Sequence, residues 1–238
     1  MKLDILAFGA HPDDVEISCV GTILKHIDLG YTVGIIDLTG GELGTRGNKD
    51  IRLKEAEAAR QMIGAHIREN LNMRDGFFKN DEDHQLAIIT KIRQYQPDII
   101  LANAPSDRHP DHGRAAHLIE ECAFLSGLYK IETFINGEKQ MAWRPKAVYH
   151  YIQDYYLEPH FVVDISEYFH RKMNILKCYA SQFYNPNSTE PETPISGKSF
   201  FDVIEGKARM WGRYISVEFA EGFIVNRPMG VEDITKLK

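Results

Sequence analysis

Cysteine is scarce in this chain. Its three residues, Cys19, Cys122 and Cys178, lie far apart, and no CxxC occurs. That argues against a disulfide framework and for a reducing compartment. Long apolar runs are missing too. None approaches the ~20 residues of a membrane span. The run after Asp4 is too short for a signal peptide and leads straight into His11. There is no basic block, and the net charge is −6, so neither a nucleic-acid groove nor an anionic membrane surface is expected. The glycine-rich stretch Thr39–Gly47 contains neither GxGxxG nor GxxxxGK(S/T), which makes it weak support for a nucleotide site. A cytoplasmic protein with no nucleic-acid or membrane partner is the expectation.

What is present is ordinary for a soluble globular protein. The 238 residues are 43% apolar and 26% charged, enough to bury a sizeable core. A short apolar run, Ile5 to Ala10, reads as a buried strand, and the first strand is expected over Lys2–Gly9. Val15–Leu29 repeats apolar residues at helical spacing and ends at Gly30. Pro12 and the two aspartates after it suit the start of that helix. The spacing then predicts a strand over Tyr31–Leu38, a helix over Ile51–Ile63, a short strand near Glu69–Leu71 and a helix over Asp81–Tyr95. A strand over Ile99–Ala102 and a helix over Gly113–Ser126 follow.

This alternation predicts an α/β fold: a Rossmann-like, mostly parallel sheet flanked by helices on both faces. After Leu128 the pattern weakens. Strands are expected at Ala147–Ile152, Phe161–Val163 and Ala220–Val225, with helices from Ile165 to about Gln182 and over Phe200–Tyr214. Between them Tyr184–Gly197 is polar, holds three of the ten prolines, and reads as a long functional surface loop. The expected organisation is a single domain over 1–238, with a core at 1–128 and a less regular C-terminal part at 129–238 completing the sheet and substrate site.

Two stretches carry the chemistry. Ala10-His11-Pro12-Asp13-Asp14 follows the first strand, and Arg108-His109-Pro110-Asp111-His112 follows the Ile99–Ala102 strand. Open α/β sheets place ligands at the carboxyl ends of their strands. Catalytic zinc takes three protein ligands, commonly two histidines and a carboxylate. His11 and Asp14 are spaced to point at one metal, and His112 closes the set. Asp13 then lies beside the attacking water as general base. His109 is left over, with Asp111 near enough to orient or charge it, and a protonated imidazole suits a developing oxyanion and a leaving amine. Each motif alone reads as a polar turn or helix start; two of them after strands of one sheet read as a site. Of the other histidines, His26, His66, His84 and His170 are expected at the surface and His117 on a helix flank. His150 and His160 lie near strand ends that border a pocket.

At these residues the chain resembles the LmbE/PIG-L family of zinc-dependent N-acetylglucosaminyl deacetylases. Leu38-Thr39-Gly40-Gly41-Glu42-Leu43-Gly44, Arg52, Ser181-Gln182-Phe183 and Ala220-Glu221-Gly222-Phe223 add support. The resemblance implies His11, Asp14 and His112 as metal ligands, Asp13 as base, and His109 as catalytic histidine partnered by Asp111. It implies Arg52 and Glu42 on the substrate side. Some members carry a tyrosine two residues before the catalytic histidine; here that position is Asp107, which leaves Arg108 and Tyr184 as candidates for the oxyanion. The branch it looks most like is that of the bacillithiol pathway, acting on N-acetylglucosaminyl malate. The implied cofactor is one divalent metal, Zn2+, with Fe2+ fitting the same ligands. The implied substrate is a small-molecule glycoside, and a homo-oligomer is expected. A deacetylase of another small glycoside, a thiol-conjugate amidase and a non-catalytic sugar- or nucleotide-binding module are the competing readings.

Overall fold

Alternate residues of the first strand feed two separate cores. In the computed structural model, which describes residues 1–237, strand β1 (Ile5–Gly9) is buried along its whole length. Ile5 and Ala7 pack with Val20, Ile23 and Ala59 on one face, and Leu6 and Phe8 pack with Ile88, Ile92 and Leu118 on the other. Period-two alternation with both sets apolar is what a strand covered on both faces requires.

The elements continue as α1 (Asp14–Ser18), α2 (Val20–Asp28), β2 (Val33–Thr39), α3 (Lys49–Ile63), β3 (Ile67–Met73), α4 (Glu82–Tyr95), β4 (Ile99–Ala102) and α5 (Pro110–Leu125). The C-terminal half adds a hairpin, β5 (Phe134–Ile135) and β6 (Glu138–Lys139), then β7 (Ala147–Tyr151), β8 (Phe161–Asp164), α6 (Phe169–Leu176), α7 (Ser199–Tyr214) and β9 (Ala220–Ile224). One seven-stranded sheet runs in the order β3-β2-β1-β4-β7-β9-β8. Its first five strands are parallel, and β9 pairs antiparallel with both neighbours. The fold is α/β, with a mostly parallel mixed sheet flanked by helices. Strand order reverses between β1 and β4, so the loops leaving their carboxyl ends diverge and open a crevice. Both His-Pro-Asp stretches are those loops.

The structure departs from the expected elements at four places. The single helix over Val15–Leu29 is two helices, broken at Cys19 (φ −136°). Glu221 of β9 explains the break: its carboxylate accepts the N–H groups of Gly21 (3.0 Å) and Thr22 (2.6 Å) and pairs with the buried Lys172 at 2.7 Å. These N–H groups are among the unpaired donors of a helix start. A Cβ at 21 would lie 2.8 Å from Ile165 Cδ1 and 3.0 Å from Glu221 Oε1, so glycine leaves room for both side chains. Helix α1 begins at Asp14, so Pro12 stands outside it and Asp13 is its N-cap.

Helix α6 is shorter than the expected Ile165–Gln182. Ser181 instead bonds Glu55 of α3 through its N–H (2.8 Å) and hydroxyl (2.7 Å), while the Gln182 amide donates to Arg46 O at 2.8 Å. Strand β3 is longer than expected: it carries Arg68, whose guanidinium meets Asp37 of β2 at 2.8 and 2.9 Å and also reaches Glu16 of α1. The β5–β6 hairpin was not expected, although its Asn136-Gly137 turn, with φ of 50° and 83°, is the usual two-residue hairpin signal. Among the described residues no helix is long and apolar enough to cross a membrane.

Candidate active site and metal centre

Five loops reach the crevice, each from the carboxyl end of a parallel strand: residues 10–14 after β1, 40–48 after β2, 74–78 after β3, 103–109 after β4 and 152–156 after β7. They surround a cavity of about 450 Å³ whose lining includes His11, Asp13, Asp14, His109 and His112. Leu43, Gly44 and Thr45 form one wall, while Thr193, Pro194 and Ile195 of the proline-containing loop, with Phe200, form another.

The chain turns at Asp13 in the left-handed region, with φ 116°. A non-glycine residue keeps that conformation only where its surroundings hold it there. Arg52, on α3, does the holding. Its Nη2 donates to Pro12 O (2.6 Å) and lies 3.1 Å from the Asp13 carboxylate, while Nη1 donates to Gly41 O at 3.2 Å. Gly41 (φ 64°) must lack a side chain, since a Cβ would fall 1.7 Å from Arg52 Nη1. Arg52 is buried, bonds Pro12 O and Gly41 O, and lines the cavity beside Asp13.

The three expected ligands meet. The Asp14 carboxylate lies 3.7 Å from His11 Nδ1 and 3.2 Å from His112 Nε2. Asp14 is itself held by the His11 N–H and Asn103 Nδ2 on Oδ2, both at 2.9 Å, and by Gln153 Nε2 on Oδ1 at 2.6 Å. The far nitrogen of each imidazole faces another carboxylate. His11 Nε2 is 3.0 Å from Asp75 and 3.4 Å from Asp111, and His112 Nδ1 is 2.6 Å from Asp107.

Ligand atoms of two trios that share His11, namely His11–His109–His112 and His11–Asp75–Asp111, lie within 4.8 Å of one another. Asp75 and Asp111 already accept main-chain donors, from Leu43 (2.9 Å) and Gly76 (2.8 Å). They therefore suit the role of acceptors behind His11. The donor set of two imidazoles and one carboxylate, each ring oriented from behind by a carboxylate, fits a divalent transition-metal ion.

The electrostatics describe a pocket built for positive charge. Burial opposes protonation of His11 and His112, but the facing carboxylates win. His11 is raised well above its ordinary value and His112 is pushed up to about 9. Burial likewise opposes ionisation of Asp14, yet the two imidazoles hold it well below the usual carboxylate range. Asp13 goes the other way: burial pushes it up to about 7, with Arg52 pulling against that.

His109 corrects an expectation. Burial and then the neighbouring His11 and His112 push its pKa down. The carboxylate of Asp111 does not bond it; that group accepts from Gly76 N, bonds Arg114 and faces His11. The contact is instead main-chain: His109 is the N-cap of α5 and its Nδ1 accepts the Asp111 N–H at 3.3 Å. Its ring packs edge-on against His11 at 4.6 Å and stacks on His112 at 5.2 Å.

The remaining expected residues lie further out. Arg108 is at the cavity rim, where its Nε donates to Asp154. Glu42 is exposed and accepts the Asp75 N–H at 2.8 Å. Tyr184 is 45% exposed and not part of the cavity lining. Sequence reasoning missed Asp75, Asn103 and Gln153. Asn103 and Gln153 are polar residues just after apolar strands, the one signal that pointed to them; Asp75 follows the mostly polar β3 and carried no such signal. His150, expected to border a pocket, is buried, with Nδ1 2.8 Å from Asn103 O.

Comparison with known proteins gives a consistent picture. A family model described as PIG-L, GlcNAc-PI de-N-acetylase, matches residues 6–123. A diacetylchitobiose deacetylase of Thermococcus kodakarensis is 28% identical over 189 residues, covering 75% of this chain and 70% of the relative. A 4-oxalmesaconate hydratase of Pseudomonas putida is 26% identical, covering 74% and 73%. The crystal structure of a conserved protein from Thermus thermophilus superposes with a TM-score of 0.84 at 30% identity, covering 96% of this chain and 97% of that one.

Proposed function

The chain belongs to the PIG-L family of deacetylases, and from that premise we propose that it removes the N-acetyl group of a glucosamine conjugate by metal-assisted hydrolysis. One observation carries this function: two imidazole nitrogens and a carboxylate from two different loops converge on the wall of a 450 Å³ cavity, beside a second carboxylate, Asp13. His11, Asp14 and His112 are the proposed ligands, and Zn2+ the proposed ion. When bound, such an ion polarises the amide carbonyl and lowers the pKa of an attacking water.

The chain supplies the rest. Asp13 accepts a proton from the water as it attacks, and Arg52 fixes the direction of its carboxylate. His109 accepts an N–H at Nδ1, so its neutral ring carries the proton on Nε2 and donates a hydrogen bond to the developing oxyanion. Asp13 then returns the water's proton to the leaving nitrogen, which departs as the amine while acetate remains. Burial, which lowers the His109 pKa, favours this neutral donor over the protonated acid suggested by sequence.

For the aglycone we propose malate, giving glucosaminyl malate and acetate in bacillithiol biosynthesis. Its support is the sequence pattern of that branch and the position of Arg108 at the cavity rim. The test is amine release by zinc-loaded protein from N-acetylglucosaminyl malate, N,N′-diacetylchitobiose and methyl N-acetylglucosaminide, with 4-oxalmesaconate hydration run alongside. Faster release from the malyl glycoside is expected. Preference for chitobiose rejects the malyl aglycone, and hydration without amine release rejects the deacetylase.

A further inference from the structure

We propose that Asp107 is a positioning residue that fixes the tautomer and orientation of His112, standing where some members of the resembled family carry a tyrosine. The proposal rests on the metal reading above. The Asp107 side chain is fully covered, at 0% exposure. Its Oδ2 lies 2.6 Å from His112 Nδ1. Its Oδ1 accepts two main-chain N–H groups of the loop after β7, from Asp154 at 3.1 Å and Tyr155 at 2.7 Å. A carboxylate held by two main-chain donors cannot swing away. An ionised carboxylate also only accepts, so Nδ1 of His112 must keep its proton. The lone pair of the neutral ring then sits on Nε2, the nitrogen aimed at Asp14.

The same loop supplies Gln153, which donates to Asp14 Oδ1 at 2.6 Å. Asp107 therefore ties two ligands to one segment: His112 through its own carboxylate, and Asp14 through the loop it anchors. A purely structural Asp107 would need only the Oδ1 contacts. The short bond to His112 is the part such a role leaves without a purpose.

Asp107→Asn separates the two roles. Its amide oxygen still accepts from Asp154 and Tyr155, so the loop stays anchored. Its NH2 now stands where Oδ2 stood, and it donates to His112 Nδ1 only if the ring moves its proton to Nε2, the wrong nitrogen for a ligand. The experiment measures zinc affinity by chelator competition for wild type, Asp107→Asn and Asp107→Ala. Denaturant unfolding of the metal-stripped proteins is followed in parallel.

Asp107→Asn is expected to unfold like wild type yet bind zinc ~10–100-fold more weakly, the usual loss when a partner behind a ligand is removed. Asp107→Ala should lose both affinity and metal-free stability. In a His112→Gln background, Asp107→Asn should change affinity less than about twofold, because a residue acting through His112 has nothing left to act on. Wild-type affinity in Asp107→Asn, or an undiminished loss in the His112→Gln background, overturns the proposal. If wild type itself binds zinc no better than His112→Gln, the ligand assignment falls first and this proposal with it.

Discussion

Asp13→Asn should weaken catalysis and strengthen the metal-free fold, with the second effect growing as pH rises. Asp13 is 4% exposed, and burial lifts its carboxyl to about 7 from a usual 3.8. The folded protein therefore keeps this proton up to about pH 7, whereas the unfolded chain releases it near its ordinary value. A raised carboxylate pKa means that stability declines as pH climbs through that window, by at most ~1.4 kcal/mol per unit. Between pH 5 and pH 8 the ionising group costs the metal-free protein about 2–3 kcal/mol. Asparagine has no proton to release, so the variant escapes that slope while its amide oxygen still accepts from Arg52.

Urea unfolding of metal-stripped wild type and variant at pH 5, 6, 7 and 8 reads this directly. The stability difference should shift in favour of the variant by about 2–3 kcal/mol over the range. Zinc should abolish the shift, since a cation beside the carboxylate favours its ionised form. Turnover of the loaded variant should fall ~10²–10⁴-fold, the range for a lost general base. Parallel pH profiles for the two metal-free proteins would refute the picture of Asp13 as a carboxylate lifted by burial. A loaded variant with near-wild-type kcat would refute its role as the base.

Three other outcomes follow from the same geometry. His11→Ala, Asp14→Ala and His112→Ala should each lose bound zinc, measured by metal analysis, while circular dichroism stays native because none of the three side chains belongs to the two large apolar cores; zinc retained in all three refutes the assignment. Zinc binding to the metal-free protein at pH 7 should release about two protons in weakly buffered solution, since His11 and His112 are both protonated there in the absence of metal; no release means that neither ring is a ligand. Arg52→Ala should lower kcat/KM for neutral and anionic glycosides alike and, at pH 8 where Asp13 is ionised, destabilise the protein by about 3–5 kcal/mol, the range for breaking a buried ion pair; a KM effect confined to anionic substrates would show that its main role is to bind substrate.

The sequence alone located much of this. Strands and helices from β1 to α5 follow from apolar periodicity, because a strand covered on both faces and an amphipathic helix each leave a local signature. The two His-Pro-Asp loops were legible because each follows such a strand, and a parallel sheet sends those ends to one edge. Once the ligand residue types were fixed by chemistry, no tertiary detail was needed to propose His11, Asp14 and His112.

What only the tertiary structure decided is which polar group stands behind which. Arg52 reaches Asp13 and Pro12. Asp111 faces His11 instead of His109. Asp75 and Gln153 arrive from 64 and 139 residues away. Glu221 breaks a helix that its own periodicity would have continued. The physical reason is common to all four. A buried charge or N–H must find a partner, and the cost of leaving it unpaired is large. Any of several donors or acceptors satisfies that demand chemically, and strand order and loop path choose among them. Periodicity is a property of neighbours in the chain; pairing of buried polar groups is a property of neighbours in space.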